Sequence, residues 1–282
     1  MIKLDKHQIK ELLHFYAGQT PLELQFALEL QYAYKNENPF GKTNDTHVYA
    51  DNAQNPNILL IAGSMWGVML CGDAAYDECD DSLHGFIINQ FNSLADEHKN
   101  VHINLCSPDW ENKINRLFGK RVKDKIIRHN YRLNMSIFEK HPDWRKEIPA
   151  GFEMNYFDGN STDFLGKHYD NSDFWSPESK RFGFALVKID EKISDCICVY
   201  YENESFDSNV ANVIEIGVGT KEEYRRQGYA FLSCMAFIEY CISNGLIPNW
   251  GCWNYKPESQ ALAKKLGFEE ISQRNVIILK ND

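Results

Sequence analysis

From residue 181 onward the chain alternates strand-like and helix-like segments in a set order, and that order constrains the fold more than any other feature. RFGFALVKIDEKISDCICVYYEN reads as two strands around a tight turn at Asp190–Glu191, and NVIEIGVGT (212–220) reads as a third. EYRRQGYAFLSCMAFIEYCISNG follows as a helix closed by Gly245, where a C-terminal glycine belongs. LIPNWGCW is a fourth strand. PESQALAKKLG is a second helix, with Pro257 near its first turn and Gly267 at its end, and FEEISQRNVIIL supplies a last strand.

The upstream part has its own mixed pattern. Residues 7–16 and 21–34 carry leucines and aromatics at helical spacing, with Pro21 suited to a first turn. THVYAD (46–51), NPNILLIAG (55–63) and WGVMLCG (66–72), separated by turn formers, predict a small antiparallel sheet. A helix is expected over 82–98, a strand at HINLCS (102–107), and a basic helical segment over 110–129. The stretch 138–180 is rich in Asp, Asn, Ser, Gly, Trp and Phe, and reads as short helices and loops. No internal repeat is legible. The expectation is an α/β (α+β) chain with an N-terminal α+β domain over 1–140. A second domain over 141–282 includes a loop-rich linker to about 180.

Composition narrows the partners. The 282 residues carry 30 basic and 40 acidic side chains, a formal net charge of -10. Long-range repulsion then argues against nucleic acid or an anionic membrane surface. No apolar run approaches the length of a transmembrane span. The start, MIKLDKHQIKELLHFY, reads as an amphipathic helix and not as a secretory signal, so a cytoplasmic location is expected. Eight cysteines, at 71, 79, 106, 196, 198, 234, 241 and 252, are therefore expected as thiols, with Cys196 and Cys198 on one strand face. No pattern supplies the partner pair a zinc site needs, so no metal is expected.

Against this acidic background, EYRRQGYA gathers Arg225, Arg226, Gln227, Gly228, Tyr229 and Ala230 at a strand-to-helix turn. The first amides of a helix lack intrahelical partners, and with the helix dipole they favour an anion. Gly228 permits a close backbone approach and tolerates a positive φ. The turn fits neither the triphosphatase nor the dinucleotide loop pattern.

VIEIGVGTKEEYRRQGYA resembles the central motif of the GCN5-related N-acetyltransferase (GNAT) superfamily, here Arg225-x-x-Gly228-x-Ala230. The strand after it and SQALAKKLGF (259–268) keep the superfamily's order. WGCWNYKPESQALAKKLGF and YADNAQNPNILLIAG resemble a Firmicute-type branch with a long N-terminal extension. The resemblance implies a mostly antiparallel central sheet flanked by helices. It also implies that the loop 225–230 binds the pyrophosphate of acetyl-coenzyme A, and that strands 212–220 and 248–253 splay to admit the pantetheine arm. Ile216, Gly217 and Val218 then contact the cofactor through main chain, and an amide near Gly217 or Val218 holds the thioester oxygen.

The activity so implied is acetyl transfer to a small-molecule amine whose identity the sequence withholds. Alternatives are a coenzyme A-binding sensory or structural module without catalysis, and an acyltransferase using a larger acyl group. The oligomeric state is left as monomer or homodimer. Glu215, a carboxylate in an apolar strand and on the face opposite Ile214 and Ile216, is the general-base candidate. The superfamily's usual tyrosine falls at Ala263, so Tyr255 is the substitute acid on geometry. Asn254 and Ser259 are expected to bond to the coenzyme arm or to cap the last helix. Cys252 is expected as a buried thiol, since a nucleophile would need a base beside it. Trp250 and Trp253, an odd number apart, are expected on opposite faces.

Overall fold

The computed structural model describes residues 1–16, 30, 33–34, 46–64, 67–93, 100–141, 143–169, 175, 181–200 and 213–280. In the first half these form β1 (Ile2–Lys3), α1 (Lys6–Tyr16), β2 (His47–Ala50), β3 (Ile58–Ser64), β4 (Gly67–Gly72), α2 (Asp80–Ser93), β5 (Asn100–Leu105), α3 (Trp110–Phe118) and β6 (Val122–Leu133). The second half, after the short α4 (Met135–Phe138), forms β7 (Phe152–Asp158), α5 (Thr162–His168), β8 (Phe182–Lys188), β9 (Glu191–Tyr200) and β10 (Val213–Thr220). It ends with α6 (Tyr229–Ser243), β11 (Ile247–Trp253), α7 (Pro257–Lys265) and β12 (Phe268–Lys280).

All twelve described strands join one sheet, in the order β1-β2-β3-β4-β5-β12-β6-β11-β10-β9-β8-β7. Two pairs are parallel, β4 with β5 and β10 with β11, and each is bridged by a helix; the rest are antiparallel. Read from its two ends the order is the same list, each strand of the first half matched by the one six later. β6 and β12 pair antiparallel at the centre, with Arg128 opposite Arg274, and β6 borders β11 while β12 borders β5. Each half thus hands its last strand to the other. The structure therefore contains a topological repeat where no repeat is legible in sequence. A sheet position demands only a side-chain pattern, and GVMLCG in β4 and VIEIGVGT in β10 meet that demand with different residues.

The antiparallel β2–β3–β4 ladder, the hairpin of β8 and β9 and the elements from β10 to β12 follow the sequence reading. Two segments differ. The basic stretch 110–129 is helical only to Phe118, and from Val122 it becomes the central strand β6. The loop-rich stretch contains β7, an edge strand on β8. The helix expected over 21–34 lies mostly outside the described residues; Leu30 and Ala33 are helical and buried.

α6 is mostly apolar, with Glu239 its one charged residue, and is the core helix of the second half. Phe231, Cys234, Phe237 and Cys241 pack on Cys196, Cys198, Ile214, Ile216 and Trp250 across the sheet. A second core fills the space between α2, α3 and the first-half strands, around Trp110, Ile103 and Leu70. None of the eight cysteines is in a disulfide; seven are buried and Cys106 is half-buried. No described helix is long and apolar enough to cross a membrane, and no metal-binding cluster of His, Cys, Asp or Glu occurs among the described residues.

Candidate active site

β10 and β11 start as paired parallel strands and then part. Val213 pairs Ile247, Ile214 pairs Pro248 and Glu215 pairs Asn249, and no pair follows. The outer edges stay anchored, β10 to β9 as far as Thr220–Ser194 and β11 to β6 as far as Trp253–Arg128. The inner edges therefore diverge over about 13 Å of β10, from Ile216 to Thr220. A cleft of about 960 Å³ opens between them, large enough for an extended cofactor, and it runs to the N-terminus of α6. Five basic side chains line it (Arg128, Arg225, Arg226, Lys256 and Lys265) against two carboxylates, Glu215 and Glu258. This local excess of positive charge stands against the net charge of the chain and suits an anion.

The turn into α6 is shaped for close approach. Gly228 is the N-cap with φ +84° and makes no side-chain cap bond. A Cβ placed on Gly228 would meet no atom within 4 Å, so the backbone there faces open space. Arg226 also holds a positive φ, 61°. Two left-handed residues within three, one of them a costly non-glycine, mark a backbone held in place by its surroundings. Arg225 donates from Nε to the Thr220 carbonyl at 3.3 Å, tying the turn to the end of β10.

Strand alternation sorts the cleft into two faces. Ile214, Ile216 and Val218 pack toward α6, and Glu215, Gly217 and Gly219 lie on the opposite face. Trp250 is buried on the α6 side and donates from Nε1 to Ser259 Oγ at 3.2 Å. Trp253 faces the other way, under the guanidinium of Arg128 with 5.2 Å from Cζ to the ring centroid. Glu215 is buried and forms an ion pair with Arg128, which donates from Nη2 to Oε1. Cys252 is buried in the cleft wall, and burial pushes its thiol above the ordinary range. A thiol of that kind is a poor nucleophile at neutral pH.

The structure brings most of the sequence-derived site residues together. Glu215, Ile216, Gly217, Val218, Arg225, Arg226, Gly228, Tyr229, Ala230 and Ser259 all line the cleft. Gln227, Asn254 and Tyr255 are not among the lining residues. Gln227 donates to the Glu223 carbonyl. Asn254 clasps the middle of β6 just past the last β6–β11 pair, its amide donating to the Ile127 carbonyl at 2.8 Å and its side-chain oxygen accepting from the Ile127 amide at 3.0 Å. Tyr255 is 55% exposed and stacks flat on Trp253. Ser259 lies within the first turn of α7, whose N-cap is Lys256, so it accepts from Trp250 and does not cap. Arg128 is the principal residue that sequence reasoning missed. It sits in the stretch read as a basic helix, and the legible signal was Gly119, a helix stop just before the Ile126–Ile127 pair.

The matching place in the first half has a shorter free strand: β4 ends at Gly72, two residues past its last pair with β5. β4 and β5 stay paired to Leu70–Leu105, and the Cys106 amide extends the pairing to the Leu70 carbonyl at 3.0 Å. The turn before α2, DAAYDECDD, is acidic and has no glycine. Its Asp80 is held by the buried Lys113 at 2.8 Å and by Arg116 at 2.8 Å. Only the second half has an open fork joined to a basic turn among the described residues.

The fold is a mixed α/β sheet with one splayed parallel pair and a glycine turn at the following helix, and comparison with known proteins gives the family. The GNAT acetyltransferase profile matches residues 41–276, and the chain belongs to that family. It is 26% identical over 240 residues to the uncharacterised N-acetyltransferase YdfB of Bacillus subtilis, covering 81% of this chain and 84% of that protein. Its fold is similar to a GCN5-related N-acetyltransferase-like protein from Streptococcus suis, with a TM-score of 0.64, 18% identity, and coverage of 98% and 99%. It is also similar to a tandem GNAT protein from the clavulanic acid biosynthesis pathway, with a TM-score of 0.63, 9% identity, and coverage of 99% and 97%. That likeness spans both halves, as does the repeat in strand order.

Proposed function

We propose that the chain is an acetyl-coenzyme A-dependent N-acetyltransferase acting on a small-molecule amine. The observation that carries this reading is the fork between β10 and β11, continuous with the basic turn at Gly228. The residues fit the cofactor: an unpaired strand edge suits an extended amide-bearing arm, and the open backbone at Gly228 with Arg225 and Arg226 suits a pyrophosphate. When bound, acetyl-coenzyme A supplies the thioester whose C–S bond breaks as the new C–N bond forms.

The chain's part is positioning, charge stabilisation and one proton. Main-chain groups of Ile216, Gly217 and Val218 would hold the arm along β10, and an amide at Gly217 or Val218 would donate to the carbonyl oxygen as negative charge develops there. The Glu215 carboxylate, on the face away from α6, takes the proton that the attacking amine loses. Ala263 stands fully buried on α7 and offers no phenol there. α7 would supply no dedicated acid to a leaving thiolate.

Thiol release from acetyl-coenzyme A, followed against a panel of primary amines (spermidine, lysine and glucosamine among them), tests the reading. The expected result is amine-dependent release with at least one amine class. Tight binding of acetyl-coenzyme A with no release above that in buffer would instead support a binding module.

A further inference from the structure

We infer that Arg128, carried on the strand that the first half donates, is the positioning residue for the Glu215 carboxylate. This rests on the reading of Glu215 as the base. Arg128 belongs to β6, yet its guanidinium reaches across β11 to the far side of the fork and pairs with Glu215 on β10. Both side chains are nearly sealed from solvent, 3% and 8% exposed, exactly where the two strands part.

The lane across β11 is kept open by Gly251. A Cβ there would lie 2.6 Å from Arg128 Nη2 and 3.0 Å from Cζ, so any other residue pushes the guanidinium off its path. The ring of Trp253 supports it from one side. A glycine that clears the lane, a tryptophan that supports the cation and a carboxylate at its end form a guide from the centre of the sheet to the cleft. A planar guanidinium of fixed geometry holds a carboxylate in one orientation better than a flexible ammonium. Among the described residues, the nearest other cation on this face is Arg132, two turns of the pleat along β6 and opposite Asn249, itself the partner of Glu215; Glu269 of β12 lies opposite Arg132. Arg274 lies opposite Arg128 on β12, and Asp195, paired with Lys192, lies opposite Gly219 on β9. β11 carries no charged side chain. Arg128 is thus the counter-charge in contact with Glu215, and the first half completes the second half's site.

The test compares Arg128→Gln, Arg128→Lys, Glu215→Gln and the double variant Arg128→Gln/Glu215→Gln. The reaction is thiol release from acetyl-coenzyme A with the best amine of the panel, or with water where no amine responds. Acetyl-coenzyme A affinity is measured in parallel by calorimetry. Arg128→Gln and Glu215→Gln are each expected to lower turnover about 10²-fold, with cofactor Kd changed less than about twofold. The double variant is expected to be no slower than either single, since both remove one device. In Arg128→Gln the acid limb of the rate profile should move to higher pH, because a buried carboxylate without its counter-charge binds a proton more readily. Arg128→Lys should return the limb toward its wild-type position. If Arg128→Gln does not fold, Gly251→Ala carries the same expectation for turnover and the limb through a displaced guanidinium. Wild-type turnover in Arg128→Gln or Glu215→Gln, multiplicative losses in the double variant, an unmoved limb, or a loss seen only in cofactor affinity would each overturn the inference. A wild-type protein that binds no acetyl-coenzyme A would overturn the N-acetyltransferase reading itself.

Discussion

At Gly228 the backbone takes a φ of +84° immediately before the first residue of α6, with nothing above it. A β-branched residue there must accept a left-handed conformation and would fill the open space above the turn. Gly228→Val is expected to weaken acetyl-coenzyme A binding at least about tenfold, roughly 1.4 kcal/mol, in calorimetry. Unchanged affinity would remove the pyrophosphate role from the turn. This residue and the alternation of Glu215 with Ile214 and Ile216 were legible in sequence, since both depend on local backbone geometry. Arg128 was not. Its role depends on which strand lies beside β11, and strand order is not written in the residues of either strand. Gly251 shows the same limit: its value comes from a side chain that crosses it from a distant segment.

Between β2 and β3, Asp51 accepts from the Ile58 amide at 2.8 Å and from Asn57 Nδ2 at 2.9 Å. Burial pushes its carboxyl up, but these hydrogen bonds outweigh that and hold it below the ordinary value. A carboxylate whose folded pKa is depressed adds stability above its unfolded pKa of about 3.9 and loses it as pH falls through the folded value. Asp51→Asn should therefore cost about 1 kcal/mol at pH 7 after solvent screening. Its urea midpoint should approach that of the wild type below about pH 4. A gap that stays constant from pH 7 to pH 3 would contradict this.

At this scale the elements with a single apolar face were readable, and β6 was not. Arg128 and Asn130 are buried in a central strand, Asn130 donating to Ser272 Oγ at 3.2 Å, so the expected apolar run is broken by polar residues. A polar central strand reads as a surface helix. Sequence patterns fail most readily where a buried position serves a site.

The whole molecule is built as two similar halves that share their central strands. Because β6 lies between β11 and β12, and β12 between β5 and β6, neither half retains a complete sheet alone. The central β6–β12 ladder runs from Phe268–Leu133 to Leu279–Val122. We expect a single cooperative unfolding transition in urea, reported alike by near-ultraviolet and far-ultraviolet dichroism. Fragments 1–140 and 141–282, expressed separately, should lack native dichroism. Independent folding of 141–282 would show that β6 is dispensable. The repeat was hidden from sequence reading because the first half has a short β4 and an acidic turn where the second half has a long β10 and a glycine turn, leaving only strand order to carry the relation.

The central claim is that acetyl-coenzyme A occupies the gap between β10 and β11 and the turn before α6. Amide hydrogen exchange of the whole protein, with and without saturating acetyl-coenzyme A, tests it most directly. The account predicts new protection concentrated at Ile216–Thr220, Gly228–Phe231 and Gly251–Trp253, with β4 and β5 unchanged. Protection that falls on the β4–β5 region instead, or none anywhere at saturation, would contradict it.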